Sequence, residues 1–220
     1  MKKIILYSVL TFIFCHADTT QEVFTDIYRN NYWQNPQSVS GPGSTLEQTE
    51  ALRFELPKLL QTLGIKTLLD APCGDFNWMK EIDLTFLDSY IGADIVPELV
   101  ESNQTRHSKP NITFKQLNII SDPLPQVDAI LCRDCFIHLS FNDIFTAIAN
   151  FKRSKSTYLL ATTFTNAQNV FDIKTGGWHI INLTQYPFNF PEPLAIINEG
   201  FQGQYADKCL ALWRIEDLPF

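Results

Sequence analysis

Two carboxylates, Asp70 and Asp94, each close a short apolar run and stand 24 positions apart. The runs, residues 65–70 and 90–95, have the length and apolar character of buried parallel strands. Their separation is that of one strand–turn–helix–strand unit, which places both carboxylates at the carboxyl edge of neighbouring strands. Nucleosides bind at that edge, so the expected chemistry is recognition of a nucleoside-like ligand.

The residues after the first strand refine this expectation. Ala71 to Asp75 form a tight turn, because Pro72 cannot donate to a ladder and Gly74 can adopt positive φ. A dinucleotide site would need three glycines as G-x-G-x-x-G, and here Gly74 stands alone. Asp75 would also repel a pyrophosphate, whereas a ligand carrying an ammonium and a sulfonium suits it.

The same residues resemble a known family. Residues 68–75, LLDAPCGD, are similar to the first motif of class I S-adenosylmethionine-dependent methyltransferases, and residues 90–94, YIGAD, to their second. The usual D-x-G-x-G-x-G is reduced to Asp70 and Gly74, as in a largely uncharacterised bacterial group with D-A-P-C-G-D. The resemblance covers roughly residues 32–215 and implies S-adenosylmethionine as the cofactor.

The resemblance also implies a set of cofactor-binding residues. Asn118, after the third strand, is expected to accept a hydrogen bond from the adenine amino group. The glycine-containing loop at Gly43 and Ser44 is expected to approach the methionine carboxylate, although such loops are often only turns. The full predicted set is Gly43, Ser44, Asp70, Cys73, Gly74, Asp75, Asp94, Ile95, Asn118, Ile119 and Arg133.

Candidate catalytic residues follow the fourth predicted strand, residues 127–132, at the same edge. Methyl transfer from a sulfonium is an in-line displacement, so the protein chiefly aligns the reactants in a water-poor pocket. A base is needed only for a protonated acceptor, and Asp134 and His138 are the candidates. Alternatively, Asp134 pairs with Arg133 and His138 satisfies a backbone carbonyl.

The remaining pattern predicts a doubly wound, Rossmann-like α/β fold. Its seven-stranded sheet is expected to be mostly parallel with an antiparallel C-terminal edge strand. Further strands are predicted at 112–117, 158–164, 194–197 and 210–215, and helices at 23–33, 45–62, 96–105 and from Ser140 to Arg153. Residues 18–220 form one predicted domain, with a helical segment at 18–62, a core at 63–164 and a hairpin at 194–215.

Between core and hairpin, residues 165–193 form a long polar, aromatic and proline-rich insertion. Its aromatic content argues against disorder, so a substrate lid is predicted. Within it, Trp178 and His179 are expected to face the acceptor, with a hinge at Gly176 and Gly177. Phe188 and Phe190, flanked by prolines, are expected to pack in the core.

The N-terminus has the pattern of a secretory leader. Met1-Lys2-Lys3 precedes an apolar run over residues 4–14, and cleavage is expected after Ala17. The run is shorter than the roughly 20 residues of a membrane span. We therefore expect residues 1–17 to be a signal peptide, the protein to be exported and no stable membrane span to remain after cleavage. The alternative is a buried N-terminal element in a cytoplasmic protein.

Composition limits the partners and leaves two rival functions. A hydrophobic content of 45% indicates a globular protein, and a net charge of −7 argues against nucleic acid as the main partner. The expected acceptor is a small molecule, with a protein acceptor as an alternative. Cys132-x-x-Cys135 could serve a thiol–disulfide protein, but no second pair at zinc spacing occurs, so no metal is expected. The other rival is a nucleoside-binding protein without transfer activity.

Overall fold

The computed structural model describes residues 19–219, so the predicted leader at residues 1–17 lies outside the described part. The helices are α1 (Thr20–Arg29), α2 (Glu50–Thr62), α3 (Pro97–His107) and α4 (Phe141–Ser154). The strands are β1 (Thr67–Asp70), β2 (Ser89–Asp94), β3 (Ile112–Gln116), β4 (Ala129–Cys132), β5 (Tyr158–Phe164), β6 (Ala195–Asn198) and β7 (Lys208–Arg214). Within residues 19–219, no helix has both the length and the apolar character that crossing a membrane requires.

The seven strands form one sheet in the order β3-β2-β1-β4-β5-β7-β6. Strands β1 to β5 are paired in parallel, and β7 runs antiparallel to both β5 and β6. The predicted Rossmann-like fold is confirmed, with β7 inserted between β5 and β6. The strand order reverses between β1 and β4, and ligands of such sheets bind beyond the carboxyl ends of the strands at this point.

Both faces of the sheet are covered, which explains why its central strands read as continuous apolar runs. All four residues of β4 are buried. On one face, α4 contributes Ile144, Ile148 and Phe151 to a core that also includes part of the lid. On the other face, α2 contributes Leu52, Leu56 and Leu60. The N-terminus of α4 is capped by Ser140, whose Oγ accepts a hydrogen bond from the Asp143 N–H at 3.2 Å.

Two predicted helix bounds were wrong. Helix α1 ends at Arg29, short of the predicted Trp33, because Asn31 takes a left-handed φ of 46° and turns the chain. Helix α2 begins at Glu50, not at Thr45. Residues before it form a turn in which the Thr49 hydroxyl donates to the Thr45 carbonyl at 2.8 Å.

The insertion at residues 165–193, all of which are described, contains no helix or strand but is well packed. Phe188 is fully buried with its ring edge-on to Phe141, and Phe190 packs edge-on against Trp213, so the prediction that both pack is confirmed. Backbone hydrogen bonds hold the segment that was expected to form a hinge at Gly176 and Gly177. The Gly176 N–H donates to the His138 carbonyl at 2.8 Å, and the His179 N–H donates to the Ile137 carbonyl at 3.0 Å.

Candidate active site

A cavity of about 710 Å³ lies at the point where the strand order reverses. This volume is within the range of small-molecule sites. All eleven residues predicted to bind the cofactor line it, as do Asp134, His138 and Trp178. His179 does not line it. Its side chain is buried, with its ring stacked on Phe141 at a centroid distance of 5.5 Å, so the lid histidine is not a substrate contact in this structure.

One part of the cavity, formed by residues 70–75, 93–96 and 117–120, is the strand-end edge. Asp94 organises it, because its two carboxylate oxygens accept hydrogen bonds from the N–H groups of Gly74 at 3.1 Å and Val96 at 3.0 Å. Each oxygen retains further acceptor capacity for a ligand hydroxyl. Burial raises the pKa of Asp94 to about 6, and the backbone donors oppose part of this rise.

Asp70 has a more internal position at this edge. The Tyr90 hydroxyl donates a 2.5 Å hydrogen bond to its carboxylate. Burial raises the pKa of Asp70 to about 7, while the Tyr90 hydrogen bond and the Arg133 charge act in the opposite direction. Asp70 therefore has a structural partner already, and its main effect on a ligand is electrostatic.

Hydrogen bonds join the turn after β1, residues 71–75, to residues 38–40 of the N-terminal segment. Gly74 has a φ of +55°, and a Cβ at this position would lie 2.2 Å from Ser40 Oγ. The Asp75 carboxylate accepts from the Ser38 hydroxyl, the Val39 N–H and the Ser40 hydroxyl at 3.0 to 3.2 Å. Asp75 lines the cavity, but these bonds show that it also holds the loop leading to Gly43 and Ser44.

The rest of the strand-end edge is mixed in polarity. Asn118 Oδ1 accepts from the Ile120 N–H at 2.9 Å, which fixes the side chain beside the cavity. Ile95 and Ile119 supply apolar wall. The Cys73 thiol is buried, and burial raises its pKa well above the usual range, so it contributes as a small apolar group.

Beside this edge lies a charge network, defined as the buried side chains Arg133, Glu199 and Lys208 together with the half-buried Asp134. Arg133 bonds Glu199 at 2.7 Å and Asp134 at 3.2 Å, and Lys208 bonds Asp134 at 2.8 Å and Glu199 at 3.2 Å. Burial raises the pKa of Asp134, but the charges of Arg133 and Lys208 outweigh this effect and hold the pKa well below its usual range. A carboxylate stabilised in this way is a weak base, so pairing is the role that the geometry favours for Asp134.

The sequence interpretation had not included Glu199 or Lys208. Lys208 is the first residue of the otherwise apolar run 208–213, and Glu199 directly follows β6. Their contacts with Arg133 and Asp134 span more than 60 positions, so no local sequence pattern places either residue at the site.

His138 is the remaining candidate base, and its orientation is set by the lid. Its Nδ1 lies 2.8 Å from the Gly177 carbonyl oxygen. A carbonyl only accepts, so Nδ1 carries the proton and Nε2 is the basic nitrogen of the neutral ring. Burial lowers the pKa of His138, although the Gly177 hydrogen bond and the Asp134 charge oppose this change. The imidazole is therefore neutral near pH 7, as a general base must be.

Aromatic side chains from distant segments line the same cavity as His138. We call the group Phe24, Tyr28, Trp33, Trp178 and Tyr205 the aromatic pocket, since all five line the cavity. The Trp33 ring lies 5.2 Å from the His138 ring, and Trp178 lies 5.7 Å from Tyr205 in an edge-on arrangement. The i, i+4 spacing of Phe24 and Tyr28 is typical of a packed helix face, and nothing in it indicates a cavity.

The geometry does not favour a thiol–disulfide function. The four described cysteines are free and buried, and burial raises the pKa of Cys132 well above its usual range. Such a thiol is a poor nucleophile because little thiolate forms. Within residues 19–219, no group of three or more His, Cys, Asp or Glu side chains is arranged to hold a metal ion.

Fold and site together define a Rossmann-like protein with a nucleoside-type cavity, and comparison with known proteins is consistent with this class. Residues 69–156 match a family model described as a methyltransferase domain, which is less than half of the chain. A search of the curated proteins found no match. The family match supports a methyltransferase domain, and the solved structures show that the fold is shared with methyltransferases.

Solved structures share the fold at low sequence identity. Human N-acetylserotonin methyltransferase in complex with SAM is similar with a TM-score of 0.60 at 16% identity, over 90% of this chain and 60% of that one. Magnesium protoporphyrin IX methyltransferase from Synechocystis PCC 6803 with bound SAM gives 0.56 at 11% identity, over 90% and 98%. The [4+2]-cyclase SpnF gives 0.56 at 18% identity, over 76% and 68%.

Proposed function

We propose that this protein is an S-adenosylmethionine-dependent methyltransferase that acts on a small-molecule acceptor and uses His138 as its base. The observation that carries the proposal is the cavity itself. It brings the strand-end edge, with Asp94 and Asn118, into one space with a neutral histidine and an aromatic pocket. The methyltransferase-domain match over residues 69–156 agrees with this reading and with the predicted cofactor.

The residues of the cavity fit this cofactor. Asp94 and Asn118 offer acceptor oxygens suited to ribose hydroxyls and an adenine amino group, with Ile95 and Ile119 as apolar wall. Asp70, Asp75 and Asp94 make the strand-end edge anionic, which suits a ligand with an ammonium and a sulfonium better than a pyrophosphate. Gly43 lets the backbone pass close to Asp134, because a Cβ there would lie 2.9 Å from Asp134 Oδ2.

S-adenosylmethionine, when bound, supplies a methyl group activated by the adjacent sulfonium. The protein holds the acceptor in the aromatic pocket, which also excludes water. His138 Nε2 removes the acceptor proton, while the Gly177 carbonyl keeps the ring in the required tautomer. Asp134, held ionised by Arg133 and Lys208, favours the imidazolium that then forms, since its charge raises the pKa of His138.

Calorimetry with S-adenosylhomocysteine tests the cofactor assignment. Asp94→Asn should weaken binding by about 1.5–3 kcal/mol, the scale of hydrogen bonds to a charged group. Asp88→Asn is the matched control, because Asp88 is exposed and does not line the cavity. Equal affinity in the Asp94→Asn and wild-type proteins would remove the basis of the proposal.

A second candidate is a protein that binds the nucleoside ligand without transferring a methyl group. The observation favouring it is that the fold is shared with a protein described as a [4+2]-cyclase, so the fold alone does not determine transfer. The two candidates differ in product. Conversion of S-adenosylmethionine to S-adenosylhomocysteine that depends on an acceptor would exclude the second candidate.

We also propose that residues 1–17 direct export and are removed after Ala17. The support is the charged and apolar pattern of these residues. Intact-mass measurement of protein recovered from a secretion-competent host should give a chain beginning at Asp18. A mass that includes Met1 would contradict export through cleavage.

A further inference from the structure

The residues that line the cavity together with His138 indicate the chemical class of the acceptor. We infer, on the basis of the proposed methyltransferase function, that the acceptor is an uncharged, flat aromatic compound methylated on a hydroxyl group. Shape, charge and the position of the base each contribute to this inference.

Shape comes from the aromatic pocket. Its rings come from α1, the loop after it, the lid and the turn before β7, so the surrounding wall is assembled from separate segments. Trp178 is 45% exposed although it lines the cavity, which means that part of its ring is not used in protein packing. A flat apolar ring is the ligand that would cover this surface, because aromatic rings attract one another in stacked or edge-on arrangements.

Charge excludes an anionic acceptor. Among the described residues that line the cavity, the cationic side chains are Arg133 and Lys208, and both are bonded to Asp134 and Glu199. An anionic acceptor would compete with Asp134 and Glu199 for both of these cations. Asp70, Asp75 and Asp94 line the same cavity and would repel such a group.

Charge also disfavours a cationic acceptor. The carboxylate beside His138, Asp134, already forms ion pairs with Arg133 and Lys208. The Lys208 ammonium lies 4.4 Å from the ring centre of Phe201, which also lines the cavity, so this face is occupied by a positive charge. A second ammonium would meet this charge and that of the bound sulfonium.

The base distinguishes a hydroxyl from an amine. A neutral amine attacks through its own lone pair, whereas a neutral hydroxyl becomes a strong nucleophile only as its proton is removed. His138 Nε2 accepts that proton while the oxygen electron pair forms the new O–C bond and the S–C pair returns to sulfur. The products are a methyl ether and S-adenosylhomocysteine, and the imidazolium then releases its proton to water.

Three probes on one ring system test the inference: 2-naphthol, 2-naphthoate and the 2-naphthylmethylammonium ion. Binding is measured by quenching of tryptophan fluorescence in the presence of S-adenosylhomocysteine, and transfer by mass-spectrometric detection of the methylated product. We expect 2-naphthol to bind and to be converted to its methyl ether, and both charged probes to bind at least about tenfold more weakly.

Two variants locate the binding site. Trp178→Ala should weaken 2-naphthol binding about tenfold while S-adenosylhomocysteine affinity stays within about twofold. Phe171→Ala is the matched control, since Phe171 is an exposed aromatic of the same lid that does not line the cavity. His138→Gln should retain 2-naphthol binding but lose transfer.

The outcomes separate the two proposals. If S-adenosylhomocysteine does not bind, the proposed function fails, whatever the probes do. If it binds while 2-naphthol does not, or while a charged probe binds as well as 2-naphthol, the acceptor class is wrong and the cofactor assignment stands. Methylation of the ammonium probe in place of 2-naphthol would overturn the choice of a hydroxyl.

Discussion

The strand-end edge and the aromatic pocket line the same cavity but are built in different ways. The edge comes from residues 70–120, and its key contacts join neighbouring parallel strands, such as the Cys73 N–H to the Ala93 carbonyl at 2.8 Å. The aromatic pocket comes from segments as far apart as Phe24 and Tyr205. The edge is therefore fixed by local topology, whereas the pocket depends on long-range packing.

This difference suggests a division of roles between the strand-end edge and the aromatic pocket. Local topology provides a cofactor edge that many sequences can share. Remote segments supply the aromatic pocket, the hydrogen bond between His138 and Gly177 of the lid, and the charge network. Residues in these segments can vary without disturbing the strand-end edge. If the division is real, substitutions in the two parts should affect different measurements.

The largest expected effect is on turnover, from His138→Gln. The Gln amide can still donate to the Gly177 carbonyl but cannot take a proton, so turnover with an accepted hydroxyl compound should fall about 10²- to 10⁴-fold. Affinity for S-adenosylhomocysteine should change less than about twofold, because the strand-end edge is untouched. The control is His107→Gln, since His107 packs against Phe76 in a tilted arrangement and does not line the cavity.

Loss of cofactor affinity in the His138→Gln protein would show that the two parts are not separate. Unchanged turnover would remove His138 as the base. The measurements are initial rates at saturating cofactor and calorimetry on the same preparations.

The next effect is on stability, and it divides the lid. Phe188→Ala should lower the free energy of unfolding by about 3–5 kcal/mol, because Phe188 is fully buried against Phe141 and Phe145. Trp178→Ala should cost under about 1 kcal/mol, since Trp178 is 45% exposed. Denaturant unfolding of both variants measures this. A similar large loss for Trp178→Ala would place Trp178 in the core and deprive the aromatic pocket of its lid residue.

Lys208→Met tests whether the charge network ties the hairpin to the site. We expect a loss of about 3 kcal/mol, at the lower end of the range for breaking a buried pair, because Arg133 still contacts both carboxylates. Adding Glu199→Gln restores the charge balance and should recover part of the loss. Arg214→Met is the control, since the Arg214–Glu216 pair is exposed and spans 3.9 Å. Equal losses in Lys208→Met and Arg214→Met would show that the network contributes little.

The same contrast explains what could be predicted from the sequence. Strand periodicity and the spacing of Asp70 and Asp94 were sufficient for the fold and the strand-end edge, because both depend on residues close in the chain. Glu199 and Lys208 could not be placed at the site, since their contacts with Arg133 and Asp134 span more than 60 positions. His179 was predicted to face the acceptor because it follows Trp178. Its side chain is instead buried in the core, which no local sequence pattern indicates.

The smallest expected effect concerns pH and belongs to the strand-end edge alone. Burial raises the pKa of Asp94 to about 6, and only the ionised carboxylate has its full acceptor capacity. Affinity for S-adenosylhomocysteine should therefore rise about tenfold between pH 5 and pH 7.5. Stability should change in the opposite direction. Because the folded-state pKa lies above the unfolded value, the contribution of Asp94 to folding is complete below about pH 4 and is lost as pH rises through 6.

Calorimetry at pH 5, 6 and 7.5, with melting curves at the same values, measures both trends. Asp94→Asn should abolish most of the pH dependence of affinity while lowering affinity at pH 7.5. Asp70, whose pKa burial raises to about 7, continues to titrate in this variant, so part of the stability trend should persist. His138 protonates below its own lowered pKa and belongs to the other part of the cavity, so His138→Gln should leave the affinity trend intact. A flat affinity profile in the wild-type protein, or a trend that disappears in His138→Gln, would mean that the histidine controls cofactor binding and that the two parts of the cavity are electrostatically one site.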